Sequence, residues 1–239
     1  MNRLVAAELI RARASRTTWA LGIIAPLTCV LWTLMPLMLL PGPPRAESVY
    51  GMTQQAYVFA LILGILGMTG EYRHQTITWS FLITPRRERV VTAKLAAYGI
   101  VALILALVSA AATVAFGSVA LATRGLPPMS ADVPAVLTGA VLSTTLYGVF
   151  GVAFGALVRN QTAAIVVACV WFLYGDAFLT YLIPEVARWL PAGAARALIG
   201  MPVQGGTLLS WWAGGLLFSA YVAALVTAAR LITLRRDVT

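Results

Sequence analysis

Side chains able to do chemistry are few in this sequence of 239 residues, and they sit in two places. One is the stretch from Glu71 to Lys94, which holds the single histidine, His74, among Arg73, Arg86, Arg87 and Arg89. A lone histidine in a basic segment is more often a surface or docking residue than a metal ligand. The other place is Asp176, a carboxylate inside a long apolar run. It lies about 10 Å from the end of that run by helical rise. An ionisable residue at membrane depth marks a transport path or a packing contact. On the packing reading the carboxyl is protonated or hydrogen-bonded to Tyr174 or a nearby threonine, because the apolar runs supply no second charge as its partner. Nucleophilic catalysis lacks its parts: Ser143 and Ser219 have no histidine at their depth, and Asp176 has no second carboxylate. Cys29 and Cys169 fall inside apolar runs as small hydrophobes, without metal-site or disulfide spacing. A P-loop needs Gly-x-x-x-x-Gly-Lys-Ser/Thr to hold phosphates, and the only lysine, Lys94, follows Ala93. These residues describe a chain that is not an enzyme and binds no cofactor of its own.

The elements that must position these groups follow from composition. The chain is 60% hydrophobic and 10% charged, with a mean hydropathy of +0.87, which points to lipid as its solvent. Six runs are long enough to cross a bilayer as helices, about 20 residues being required. They cover approximately 18–40, 51–70, 95–123, 133–158, 162–183 and 207–229. Breakers mark the connections: Pro41-Gly42-Pro43-Pro44, Arg124-Gly125-Leu126-Pro127-Pro128 and Pro184. Pro26 and Pro36 predict a kink or break in the first run. Gly151 and Gly155 form a Gly-x-x-x-Gly pair that allows close helix approach, within the chain or between copies. No internal repeat is found, which gives no support to an inverted-repeat transporter. The whole chain, 1–239, therefore reads as one all-α membrane domain.

Charge placement predicts orientation. With the N-terminal segment 1–17 retained as an anchor on the cytoplasmic side, thirteen basic residues face the cytoplasm and four, Arg45, Arg124, Arg188 and Arg196, lie outside. The net charge of +9 then meets anionic lipid headgroups, with no nucleic acid implied. Trp19 at the inner face and Trp189, Trp211 and Trp212 at the outer face suit interfacial anchoring.

The connection 71–94 is not a simple solvated loop. Ile77, Trp79, Phe81, Leu82 and Ile83 make a short helix too apolar to face water, and Pro85 ends it. Its cover is either the headgroup layer or a cytoplasmic partner. Thr84 and Pro85 can then start the next helix as cap and first residue.

The order of features resembles the permease subunits of bacterial type-2 ATP-binding-cassette exporters. The matching residues are Gly70-Glu71-Tyr72-Arg73-His74-Gln75-Thr76-Ile77, Leu82-Ile83-Thr84-Pro85-Arg86-Arg87-Glu88-Arg89-Val90-Val91 and Ala93-Lys94. The resemblance implies a six-helix bundle with both termini in the cytoplasm of a bacterial plasma membrane. It implies a coupling region in which Glu71, Arg73, His74, Thr76, Ile77, Trp79, Phe81, Pro85, Arg86, Arg87 and Arg89 meet a separate P-loop ATPase that carries ATP and Mg. It implies a second permease copy or a homologous permease as the other partner, an elbow helix within residues 2–16, and short re-entrant outer helices between the fifth and sixth spans, for which 185–206 is long enough. The near absence of charge in the spans points to an amphipathic or lipophilic substrate: a drug, antibiotic, peptide or lipid. The competing readings are an ion-coupled transporter or channel using Asp176, and a scaffold subunit.

Overall fold

The computed structural model describes residues 2–39, 44–73, 87–201 and 206–235. These residues form helices and turns, with no strand among them. Six helical stretches are long and apolar enough to cross a membrane, so the chain has the architecture of a multi-pass membrane protein.

Helix α1 (Asn2–Ala14) precedes the first span, α2 (Arg16–Leu39). Pro26 and Pro36 lie within α2, yet the helix continues through both, so no break occurs there. The second span starts earlier than hydropathy alone indicates: α3 (Ala46–Gly51) and a 3-10 turn (Met52–Gln55) run directly into α4 (Ala56–Arg73). The third, α5 (Arg87–Ala122), begins before the apolar run expected from residue 95. Its 36 residues rise about 54 Å, well beyond a hydrocarbon core of about 30 Å. Arg89 and Lys94 are therefore helical residues.

The fourth span, α6 (Val133–Val158), starts on Pro134, whose missing N–H costs nothing in a first turn. It stops where Arg159 takes a left-handed φ of 56°. Asn160 then caps α7 (Gln161–Cys169) by accepting from the Ala163 N–H at 3.0 Å. The fifth span continues through a π turn (Val170–Gly175) into α8 (Asp176–Leu182). Two short helices follow, α9 (Pro184–Ala187) and α10 (Pro191–Ile199), the second closed by Gly200 at φ 70°. The sixth span is α11 (Trp211–Arg235).

Side-chain polarity is arranged for lipid. Ile23, Leu27, Leu31, Leu107, Val170, Phe178 and Leu216 are exposed, whereas Thr33, Thr69, Ser109, Thr113, Ser143 and Thr144 are buried. Among these, Thr33 and Thr69 donate to carbonyls one turn earlier, Cys29 and Ile65. Ser219 is exposed. Lipid gives no hydrophobic drive for helix pairing, so close backbone contact must supply it. A Cβ at Gly64 of α4 would stand 2.1 Å from the Gly148 carbonyl oxygen, and one at Gly151 2.2 Å from that of Leu61. The Gly-x-x-x-Gly pair is thus spent inside the chain, on the α4–α6 seam. Gly151→Ala is expected to lower stability by about 1–2 kcal/mol through backbone displacement. Gly22→Ala, where a Cβ meets nothing within 4 Å, is expected to be neutral or slightly stabilising. Thermal unfolding of the two variants in one detergent checks this, and equal behaviour would refute the seam.

Around that seam four spans share an aromatic core. The Tyr147 ring lies 4.7 Å from Tyr57, 5.2 Å from Phe172 and 4.8 Å from Phe218, centroid to centroid. Ala192, Ala194 and Ala195 of α10 pack into the same cluster.

Candidate functional site

The coupling residues expected from the sequence flank a segment outside the described residues. His74, Thr76, Ile77, Trp79, Phe81, Pro85 and Arg86 fall in that segment. The helix backbone includes Arg73 at the end of α4 and Arg87 at the start of α5. Arg89 is exposed in the first turn of α5. Glu71, by contrast, is buried, with 5% of its surface exposed.

Burying Glu71 requires a counter-charge, since an isolated carboxylate out of water is several kcal/mol uphill. Lys94, itself buried, supplies it from α5: its Nζ lies 3.0 Å from Glu71 Oε1. The same ammonium donates to Glu8 Oε2 at 2.9 Å and to the Gly67 carbonyl at 3.2 Å. Lys94 thus makes two hydrogen bonds and a close ion pair at once. Arg11 completes the group from α1. It pairs with Glu71 and lies 3.1 Å from Glu8 Oε1, so two carboxylates face two cations. Burial works to lower the Arg11 pKa, but the charges of Glu8 and Glu71 outweigh it and hold the guanidinium above its usual value.

Helical spacing makes this arrangement compact. Gly67 and Glu71 are one turn apart on α4, as are Lys94 and Tyr98 on α5. Gly67 has no side chain because the Tyr98 ring takes its place: a Cβ there would stand 2.2 Å from the ring. Apolar contacts surround the charges, with Ala12, Met68, Val91, Leu95 and Ala229 in one cluster. The last of these brings the end of the sixth span beside α1. Arg230 also donates to Thr92 at 3.2 Å. Helix α1, the last turns of α11 and the two helix ends that flank residues 74–86 therefore lie at one end of the bundle.

Sequence reasoning missed Glu8. The arginines of residues 2–16 leave no clear apolar face, and the one acid among them was the only available signal. Glu71 and Lys94 were marked, but not as partners of each other.

A second ion pair joins the fifth span to α10, towards the opposite end of the bundle. Asp176, exposed by only 4%, has its Oδ2 2.9 Å from Nη2 of Arg196, whose side chain is partly exposed. Thr180 bridges the two: its hydroxyl accepts from Arg196 at 2.7 Å and donates to the Asp176 carbonyl at 2.8 Å. This corrects the expectation that no charge from the apolar runs is available to Asp176, because Arg196, counted among the outer basic residues, reaches it from α10. The π turn just before Asp176 has its own support, the Tyr57 hydroxyl donating to the Phe172 carbonyl at 2.9 Å. Such turns recur at functional positions.

Neither group sets a nucleophile beside a base, and among the described residues no cluster of His, Cys, Asp and Glu is placed to hold a metal ion. What both arrangements do is fasten helices through charge. No protein-family model matches the chain, and no curated protein matches its sequence.

Proposed function

We propose that the chain is the membrane-spanning permease subunit of an ATP-driven exporter in a bacterial plasma membrane, with ATP and Mg held by a separate P-loop ATPase. The observation that carries this reading is the Lys94-centred group. It ties α1 to α4 and α5, the two helices from which the 74–86 segment hangs, so a push on that segment reaches three helices together. The thirteen-to-four distribution of basic residues supports a cytoplasmic position for this end. Asp176 is neutralised by Arg196, which weighs against its use as a free ion-coupling carboxylate.

A second copy of the chain fits the lipid-facing side of the fifth span. Val167, Trp171, Tyr174, Phe178 and Tyr181 are all exposed there, at alternating spacings of four and three. Tyr174 lies about 12 Å from the end of the span by helical rise, where lipid tails cannot hydrogen-bond its hydroxyl. A facing copy could. With an apolar path between two copies, the substrate is amphipathic or lipophilic.

One preparation tests both partners. The Trp79→Ala, Phe81→Ala double variant is expected to insert normally and to weaken copurification of a P-loop ATPase by about 2 kcal/mol, the scale of aromatic anchors. In the same membranes Tyr174→Cys is expected to cross-link to itself. ATPase retained at wild-type strength would refute the docking assignment, and absence of cross-linking would refute the seam.

A further inference from the structure

The segment between the fifth and sixth spans does not rest on the surface of the bundle. Ala192, Gly193, Ala194, Ala195, Ala197 and Ile199 of α10 are all buried. Its backbone comes close to two spans at their glycines. A Cβ at Gly139 of α6 would stand 2.0 Å from the Leu198 carbonyl oxygen, and one at Gly214 of α11 would stand 2.5 Å from the Ala197 Cβ and 2.7 Å from the Ala194 carbonyl oxygen. Gly139 lies about 9 Å below the first residue of α6 by helical rise. Asp176, which grips Arg196, is at a similar depth in the fifth span. α10 therefore sits inside the bundle end, with the aromatic cluster around Tyr147 directly against its alanines.

Two features make this helix removable. Alanine and glycine bury little side-chain area, and apolar packing scales with area. The charged contact is also single-pronged: one guanidinium nitrogen meets one carboxylate oxygen, while Asp176 Oδ1 and Arg196 Nε have no hydrogen-bond partner. A forked pair would hold more tightly. The geometry points to α10 as a plug in the end of the bundle opposite α1, with the Asp176–Arg196 ion pair as its latch. That the plug closes a translocation path rests on the permease reading; that it is latched rests on the contacts alone.

The test uses the full chain in sealed vesicles, with no ATPase or substrate, so a chain that transports nothing would leave the result unaffected. Cys29 and Cys169 are replaced by alanine. Ala195→Cys then reports on the plug, and Ala156→Cys, buried near the other end, serves as control. A membrane-impermeant maleimide is applied from the α10 side. Asp176→Asn and Arg196→Gln are each expected to speed labelling of the reporter about tenfold or more, the consequence of losing a buried charge partner. Arg196→Lys, which keeps the charge, is expected to stay within about twofold, and the control is expected to stay unlabelled. Unchanged labelling in both neutral variants would show that α10 is held without the pair. Labelling by Arg196→Lys as fast as by Arg196→Gln would assign the hold to shape, and an equal rise at the control would reduce the pair to general fold maintenance. Any of the three overturns the latch.

Discussion

Lys94→Met is expected to lower the unfolding free energy by about 3–5 kcal/mol, the cost of leaving buried charge without its partner. Methionine fills much of the same space, so the effect isolates the ammonium. Its loss leaves Glu8 and Glu71 facing only Arg11, whose side chain is 55% exposed and better solvated. Adding Glu71→Gln to Lys94→Met restores one acid against one base, and the double variant is expected to be more stable than Lys94→Met alone. That inequality is the signature of a coupled ionic group, because independent sites would add their losses. Thermal unfolding of the wild-type chain, Lys94→Met, Glu71→Gln and the double variant in one detergent decides it. A double variant less stable than Lys94→Met by the full Glu71→Gln loss would remove the cluster as a unit.

Tyr147→Ala is expected to cost about 3 kcal/mol, from a different source. Lipid is as apolar as the bundle interior, so little of the usual transfer term applies. The cavity remains. At roughly 24 cal/mol per Å³, a lost ring of roughly 100 Å³ contributes about 2.4 kcal/mol, and the broken ring pairs add about 0.5 kcal/mol or more. Tyr147→Phe, which keeps the ring, is expected to cost less than about 1.5 kcal/mol. Phe116→Ala removes a ring of α5 that is 56% exposed and lies outside the fifth-span face, and it is expected to change stability by less than about 0.5 kcal/mol. The same unfolding measurement ranks all three. A Phe116→Ala loss equal to that of Tyr147→Ala would mean that burial in the bundle is not what distinguishes them.

The six spans were legible because the bilayer sets one length and one polarity, and both are read along a single line of residues. Val133–Val158 begins and ends where its apolar run does, between Asp132 and Arg159. Hydropathy placed the start of α5 too late, since Arg87 to Lys94 carry charges and a charged helix leaving the membrane has the hydropathy of a loop; the cap chemistry of Thr84 and Pro85 pointed to the earlier start, and the described helix runs from Arg87. The two halves of the candidate site fared differently for the same reason. Glu71 and Lys94 stood out by type and position, but Glu8 is 86 residues from the lysine it meets. Asp176 was visible as a charge in an apolar run, while Arg196 was counted with the loop residues, because hydropathy does not show a segment turning back into the bundle. Gly151 and Gly155 promised a close helix contact without saying whose. Composition and length determined that the chain carries six helices long and apolar enough to cross a bilayer, for every residue meets the solvent one at a time. Tertiary structure alone decided which charges neutralise one another, since pairing depends on distances between segments that are remote along the chain.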